Sequence, residues 1–341
     1  MNYRITASIL LALIISSSGC ALSREGRYLS HITQLTSTDM GLINAGEAYF
    51  SPDAKTIIFQ ATPTGQSEYQ IYTLDLQSRK LSMVSTGKGA CTCAFFHPSG
   101  KKIIFASSHL DPDVDQPTHR DEGEGYKWDF SEHMDVFEAD PTGSNLRRIT
   151  RAPGYDAECA YSPDGKHIVF TSKRDDDLEL YVMDADGANQ RRLTFSSGYD
   201  GGPFFSPDGQ YILFRADHRE DGHMNLQLRI MNADGSNNRA ITDNAVFNWC
   251  PYWFPTGKSL IFTQADHAAY AHGGKTNYDL YMTTTEGKAL VRITDDSNFD
   301  GLPVFSPDGS KLLWTSKRGN LEEPQIFMAD FVLPQEFTQT K

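Results

Sequence analysis

Six times along the chain three apolar residues stand in a row and end on an aromatic: Phe59, Phe105, Phe170, Phe214, Phe262 and Trp314. A Pro stands seven residues before each of these aromatics, at Pro52, Pro98, Pro163, Pro207, Pro255 and Pro307. Two residues before each Pro is a second aromatic, Phe50, Phe96, Tyr161, Phe205, Trp253 or Phe305. An unbroken apolar run fits a strand buried on both faces, and the Ser-Pro-Asp-Gly-like stretch before it fits a tight turn between two strands. A third strand follows, such as Leu180–Met183 or Leu280–Met282, then a Gly-containing turn and a short fourth strand ending in Leu-Thr or Ile-Thr. The prolines are spaced by 46, 65, 44, 48 and 52 residues, about one propeller blade each. The pattern predicts an all-β fold: a six-bladed β-propeller with four antiparallel strands per blade. The sixth repeat lacks a fourth strand, and His31–Thr36 reads as the missing one, so the N-terminal strand is expected to close the last blade.

The Phe-Ser-Pro-Asp-Gly turn, the Met-Asp-Ala-Asp-Gly turn and the terminal Arg-Leu-Thr resemble the propeller repeats of the TolB family over residues 28 to 331. Related repeats occur in the propellers of prolyl oligopeptidase-type peptidases and of oligogalacturonate lyase. The resemblance implies a propeller, and it leaves open which of many activities the propeller hosts. A length of 341 leaves no room for the additional N-terminal α/β domain of TolB.

The first residues read as an export signal, with Arg4 ahead of the apolar Ile9–Ile15 and small residues up to Gly19. Ser16–Cys20 is similar to the lipobox of bacterial lipoproteins, although Ser17 stands where that family usually has Leu. The resemblance implies that Cys20 is the lipid attachment site and first mature residue. Ala21 after it implies outer-membrane sorting. The expected organisation is a signal peptide over 1–19, a lipidated tether over 20–27, the propeller over 28–331 and a C-terminal tail over 332–341. The address is then the cell envelope, facing the periplasm or the cell surface, with the lipid anchor as the sole membrane contact.

With 44 Asp plus Glu against 31 Lys plus Arg, the net charge of -13 excludes nucleic acid as the main partner. The expected partner is an envelope protein, peptide or glycan, bound by a monomer. Cys91, Cys93, Cys159 and Cys250 are too few for a disulfide scaffold and are read as buried thiols, with a disulfide or a soft-metal site as alternatives.

In a four-stranded blade, the links between strands 2 and 3 and between blades share one face of the ring. The irregular sequence lies there, as binding loops usually do. The long links of blades 2, 4 and 5 hold seven of the ten histidines, among them His109, His133, His218, His223, His267 and His272. Beside carboxylates these are candidate ligands for a divalent cation, against the alternative of a solvated acidic lid with incidental histidines. Asp156, Asp200 and Asp300 stand seven residues before the repeat Pro, where Asn248, Cys91 and Ala45 replace them in the other blades. They are read either as a funnel of carboxylates at the channel mouth or as caps of local turns. Two residues further on, Glu47 and Glu158 break the repeat and are candidate ligand-binding residues. No Gly-x-Ser-x-Gly is present, which favours a binding or scaffold protein. The alternative is a metal-dependent hydrolase or polysaccharide lyase that uses Glu158 and a neighbouring His.

Overall fold

The computed structural model describes residues 23–114, 131–218, 225–266, 276–319 and 321–338. Its strands form six four-stranded antiparallel sheets. The innermost strands are Leu42–Phe50, Cys91–Phe96, Asp156–Tyr161, Tyr199–Phe205, Phe247–Trp253 and Asp300–Phe305, for blades 1 to 6 in turn. The predicted closure is present: Leu29–Gln34 pairs with Gln325–Phe331 as the outermost strand of blade 6, with Leu29 opposite Phe331. Among the described residues no helix is long and apolar enough to cross a membrane.

The apolar triplets fill the second strands and lie between neighbouring blades. Phe59, Phe105, Phe170, Phe214 and Phe262 have no exposed surface and Trp314 almost none. Each such ring is worth about 1.5–3 kcal/mol of burial, which makes this aromatic position the main tie between sheets. The Ser-Pro-Asp-Gly turns have a polar lock. Ser162 Oγ donates to Asp164 Oδ1 at 2.6 Å, and that carboxylate accepts the Lys166 N–H at 3.0 Å. Ser206–Asp208 and Ser306–Asp308 repeat the contact at 2.6 Å. Between blades 3 and 4 this turn-bearing face holds an open groove of about 740 Å³ whose Asp164 and Asp208 are committed to these locks.

All six inner strands share one irregularity. Their register against the second strand slips at the same place, between the positions six and three before the repeat Pro. The residue inside the slip has a left-handed backbone in every blade: Glu47 (φ 51), Cys93 (φ 54), Glu158 (φ 52), Gly202 (φ 58), Cys250 (φ 48) and Leu302 (φ 55). Five of the six are not glycine, although a side chain there costs about 1 kcal/mol or more. The bulge is therefore built into the ring.

Candidate functional site: a funnel with a polar collar and an aromatic floor

The collar of bulged residues is stitched from blade to blade. A bulge frees a backbone N–H from its ladder, and a side chain of the preceding blade takes it in four cases. Glu47 N–H donates to Thr315 Oγ1 (3.2 Å), Cys93 N–H to Gln60 Oε1 (3.1 Å) and Leu302 N–H to Thr263 Oγ1 (3.2 Å). Gly202 N–H donates to Glu158 Oε2 at 2.5 Å. Gly202 is needed for a second reason: a Cβ there would lie 2.0 Å from the Arg215 guanidinium.

Glu47 and Glu158, the two carboxylates of this collar, have opposite surroundings. Glu158 accepts from Tyr199 Oη (3.0 Å), Thr171 Oγ1 (3.0 Å), Gly202 N–H (2.5 Å) and the Arg215 guanidinium (3.0 Å). Its lone pairs are spent on neighbouring strands, and no histidine touches it among the described residues. The pairing of Glu158 with a histidine as acid and base is therefore not found there. Among the described residues Glu47 accepts only from Tyr49 Oη at 3.2 Å and, weakly, from Cys93 Sγ at 3.8 Å. Burial, opposed by the pull of Arg215, pushes its carboxyl up to about 7.

Two residues beyond the collar, toward the turn-bearing face, Tyr49, Phe95, Phe204 and Tyr252 meet across the ring from blades 1, 2, 4 and 5. Their centroids are 5.1 Å apart for Tyr49–Phe95, 6.0 Å for Phe95–Phe204, 5.2 Å for Phe204–Tyr252 and 6.1 Å for Tyr49–Tyr252. Rings this close leave no channel between them. Glu47, Glu158, Cys93, Phe95, Phe204 and Tyr252 lie on the innermost strands and still keep some exposure, so they border a space at the ring's centre. The aromatic floor closes this funnel on the turn-bearing side.

The carboxylates expected at the funnel mouth do not converge. Asp156, Asp200 and Asp300 are buried and turn into the seams between blades, each toward a cation eighteen residues later in its own blade. Arg174 grips both oxygens of Asp156 at 3.0 Å, His218 Nε2 lies 2.8 Å from Asp200 and Arg318 lies 2.8 Å from Asp300. The funnel-of-carboxylates reading gives way to seam pairing, and the partners are side chains rather than the local backbone N–H groups of a turn. The reason is positional. The backbone N–H at this position bonds the carbonyl just before the preceding blade's third strand, as with Asp156 to Met134 (2.8 Å), Asp200 to Leu178 (2.8 Å) and Asn248 to Leu226 (2.9 Å). That holds the side chain between sheets. Asn248 accordingly bonds Gln227 and Gln264.

The residue at the start of that third strand, second in blade 5 and first in the others, follows the same choice. It is acidic where an Asp faces it (Asp135, Glu179, Asp279) and Gln where the facing residue is neutral (Gln70, Gln227, Gln325). Each acid is met by the Arg of the blade's closing Arg-Leu/Ile-Thr: Arg148–Asp135 at 2.6 Å, Arg292–Asp279 at 2.7 Å, and Arg192–Glu179. This explains the repeat ending that the sequence shows. Burial raises the Asp156 and Asp300 carboxyls against the pull of Arg174 and Arg318, and it raises Asp279 to about 6.

The candidate metal ligands are not brought together. His109 Nδ1 contacts Ser107 (2.9 Å), His133 lies 3.8 Å from Asp111, and His218 is held by Asp200 in another blade. Among the described residues no three His, Cys, Asp or Glu form a group that could hold a metal ion. His223, His267 and His272, together with Cys20, lie outside the described residues. Cys91, Cys93, Cys159 and Cys250 are all free thiols. The sequence reading missed Arg215 and the four floor aromatics. Arg215 could have been noticed, because Thr171, Thr263 and Thr315 occupy its repeat position in three other blades.

Comparison with known proteins agrees with this architecture. Residues 129–269 match the family described as TolB beta propeller domain. The Tol-Pal system protein TolB of Bordetella pertussis is 54% identical over 39 residues, which span 11% of this chain and 9% of that protein. The chain thus matches only a small part of the length of its curated relatives. The structure of a putative TolB from Agrobacterium tumefaciens superposes with a TM-score of 0.60 at 23% identity, covering 85% of this chain and 91% of that one. The oligogalacturonate lyase of Vibrio parahaemolyticus superposes with a TM-score of 0.55 at 15% identity, over 90% and 94% of the two chains. At these identities the superpositions speak for the fold alone. Repeat register and ring closure make the chain a six-bladed β-propeller, and its residues 129–269 are similar to the TolB beta propeller domain family.

Proposed function

We propose that this protein is a lipid-anchored binding or scaffold propeller of the cell envelope, which receives a protein, peptide or glycan at the loop-bearing mouth of its funnel. The observation that carries this reading is the aromatic floor: with the ring's centre closed on the turn-bearing side, a group enters from the irregular face. A pocket of this form selects an inserted group and passes nothing through. The Tol-Pal name of the relative with 54% identity over a short stretch supports an envelope address. The lipobox-like segment ending at Cys20 supports an anchor in the outer membrane. The metal-dependent hydrolase or lyase is not favoured, because Glu158 is saturated by structural donors and the described histidines sit in separate networks.

Phe195, 75% exposed in the link between blades 3 and 4, reports on the loop-bearing face, and Leu290, 58% exposed on the outermost strand of blade 5, serves as the control. A photo-crosslinking residue at Phe195 should trap one discrete envelope partner in intact cells, and the same residue at Leu290 should not. Cys20→Ala should abolish incorporation of labelled fatty acid and release the protein from membranes. No discrete adduct at Phe195, or unchanged labelling of Cys20→Ala, would overturn the corresponding half of the proposal.

A further inference from the structure

Among the described residues no cation is hydrogen-bonded to Glu47 at the centre of the funnel. The fixed charges facing it are Glu158 and Arg215, and Arg215 is engaged by Glu158 at 3.0 Å. The remaining polar neighbours are the neutral Tyr49 hydroxyl and Cys93 thiol, with the Cys250 thiol in the same collar. With Glu47 ionised, these charges sum to one negative. Below lie the faces and edges of Tyr49, Phe95, Phe204 and Tyr252, and aromatic faces attract cations within about 6 Å. An anion entering here would meet an unneutralised carboxylate, and a purely apolar group would strand it in a desolvated space. A positive group supplies what Glu47 lacks and also suits the floor.

Resting on the reading of the funnel as a binding site, we propose that Glu47 and the aromatic floor form a cation-accepting pocket, which takes an alkylammonium or guanidinium group, such as a partner's lysine or arginine side chain, inserted from the loop-bearing face. Glu158 and Arg215 are positioning residues in this arrangement. Their ion pair and the Gly202 N–H commit the Arg215 hydrogen bond to Glu158, so Arg215 acts on Glu47 through its field and makes no hydrogen bond to it. Binding a cation favours the ionised carboxylate, whereas burial holds Glu47 at about 7, so the two are linked. Affinity should be full above neutrality and fall by up to tenfold per pH unit below it, because a proton must leave before the cation binds.

The test uses side-chain fragments with the full-length chain in detergent. Binding of n-butylammonium and n-propylguanidinium is followed by saturation-transfer NMR between pH 5.5 and 8.5, with butyrate and n-butanol as controls. Both cations should bind with millimolar affinity at pH 8, neither control should bind, and the cation signal should collapse below pH 6. E47Q should weaken the cations at least tenfold and flatten the pH profile, and Phe204→Leu should weaken them several-fold while keeping the profile. Cation binding that is unchanged in E47Q, flat with pH in the wild type, or equalled by butyrate would overturn the inference. The wild-type pH profile decides the matter if E47Q does not fold. Repeating the Phe195 crosslink in E47Q separates the two proposals. An adduct that persists while fragment binding ignores Glu47 removes only the cation pocket, and Glu47-dependent fragment binding with no adduct removes only the envelope partner.

Discussion

The ring has two kinds of seam. Between blades 2 and 3, 3 and 4, and 5 and 6, an acid on one blade's third strand faces an Asp on the next blade's inner strand, and each carboxylate has its own basic partner, an arginine or, for Asp200, His218. Between blades 6 and 1, 1 and 2, and 4 and 5, Gln325, Gln70 and Gln227 face Ala45, Cys91 and Asn248, and hydrogen bonds suffice. In the charged seams the two acids repel one another. A buried charge is tolerated only when paired, so residues in four strand positions must change together or not at all. The repeat therefore varies by whole sets.

Removing one member of a charged set should have the largest effect. Asp156→Ala leaves Arg174, 16% exposed, without its bidentate partner and should cost about 3 kcal/mol, the low end for breaking a buried pair because the arginine keeps some water. Chemical denaturation should show this as a lower midpoint at unchanged slope. The converse change tests the rule in a neutral seam. Asn248→Asp places a carboxylate where eighteen residues later stands Asp266, and it should cost about 2 kcal/mol. Adding Asp266→Arg should recover most of that loss, whereas additive losses in the double variant would show that the seams do not follow a common plan. The smallest effect belongs to the seam between blades 3 and 4, where His218 stands in for arginine. There Asp200 Oδ2 is buried with no hydrogen-bond partner among the described residues, whereas Asp156 and Asp300 have both oxygens bonded. His218→Arg should raise stability by about 1 kcal/mol, read as a higher melting temperature.

The architecture was legible because its signal is dense: a proline and two aromatics at fixed offsets, repeated six times, and a last repeat missing the strand that Leu29–Gln34 supplies, two residues earlier than the expected His31–Thr36. The seam pairs were legible in principle. Asp156–Arg174, Asp200–His218 and Asp300–Arg318 share one spacing, but pairing across a hairpin of eighteen residues is hidden unless repeats are aligned on both strands. Without that partner, a buried Asp near a strand end looks like a mouth residue. The bulge was not legible at all. Glu47, Cys93, Glu158, Gly202, Cys250 and Leu302 share no chemistry, because what fixes their backbone is the neighbouring blade's hydrogen bond and not their own side chains. Glu47 and Glu158 look equivalent in sequence. The donors that blades 3 and 4 bring to Glu158, Arg215 among them, separate it from Glu47, which accepts from Tyr49 and weakly from Cys93.

Pairing Leu29–Gln34 with Gln325–Phe331 also constrains the order of events during biogenesis. The first ribbon of the ring must wait, without its neighbour, until the ring's last strand has been made and, if exported, threaded across the inner membrane. Holdase chaperones and proteases have that interval in which to act, and a truncation anywhere before residue 331 would leave the product permanently unlatched.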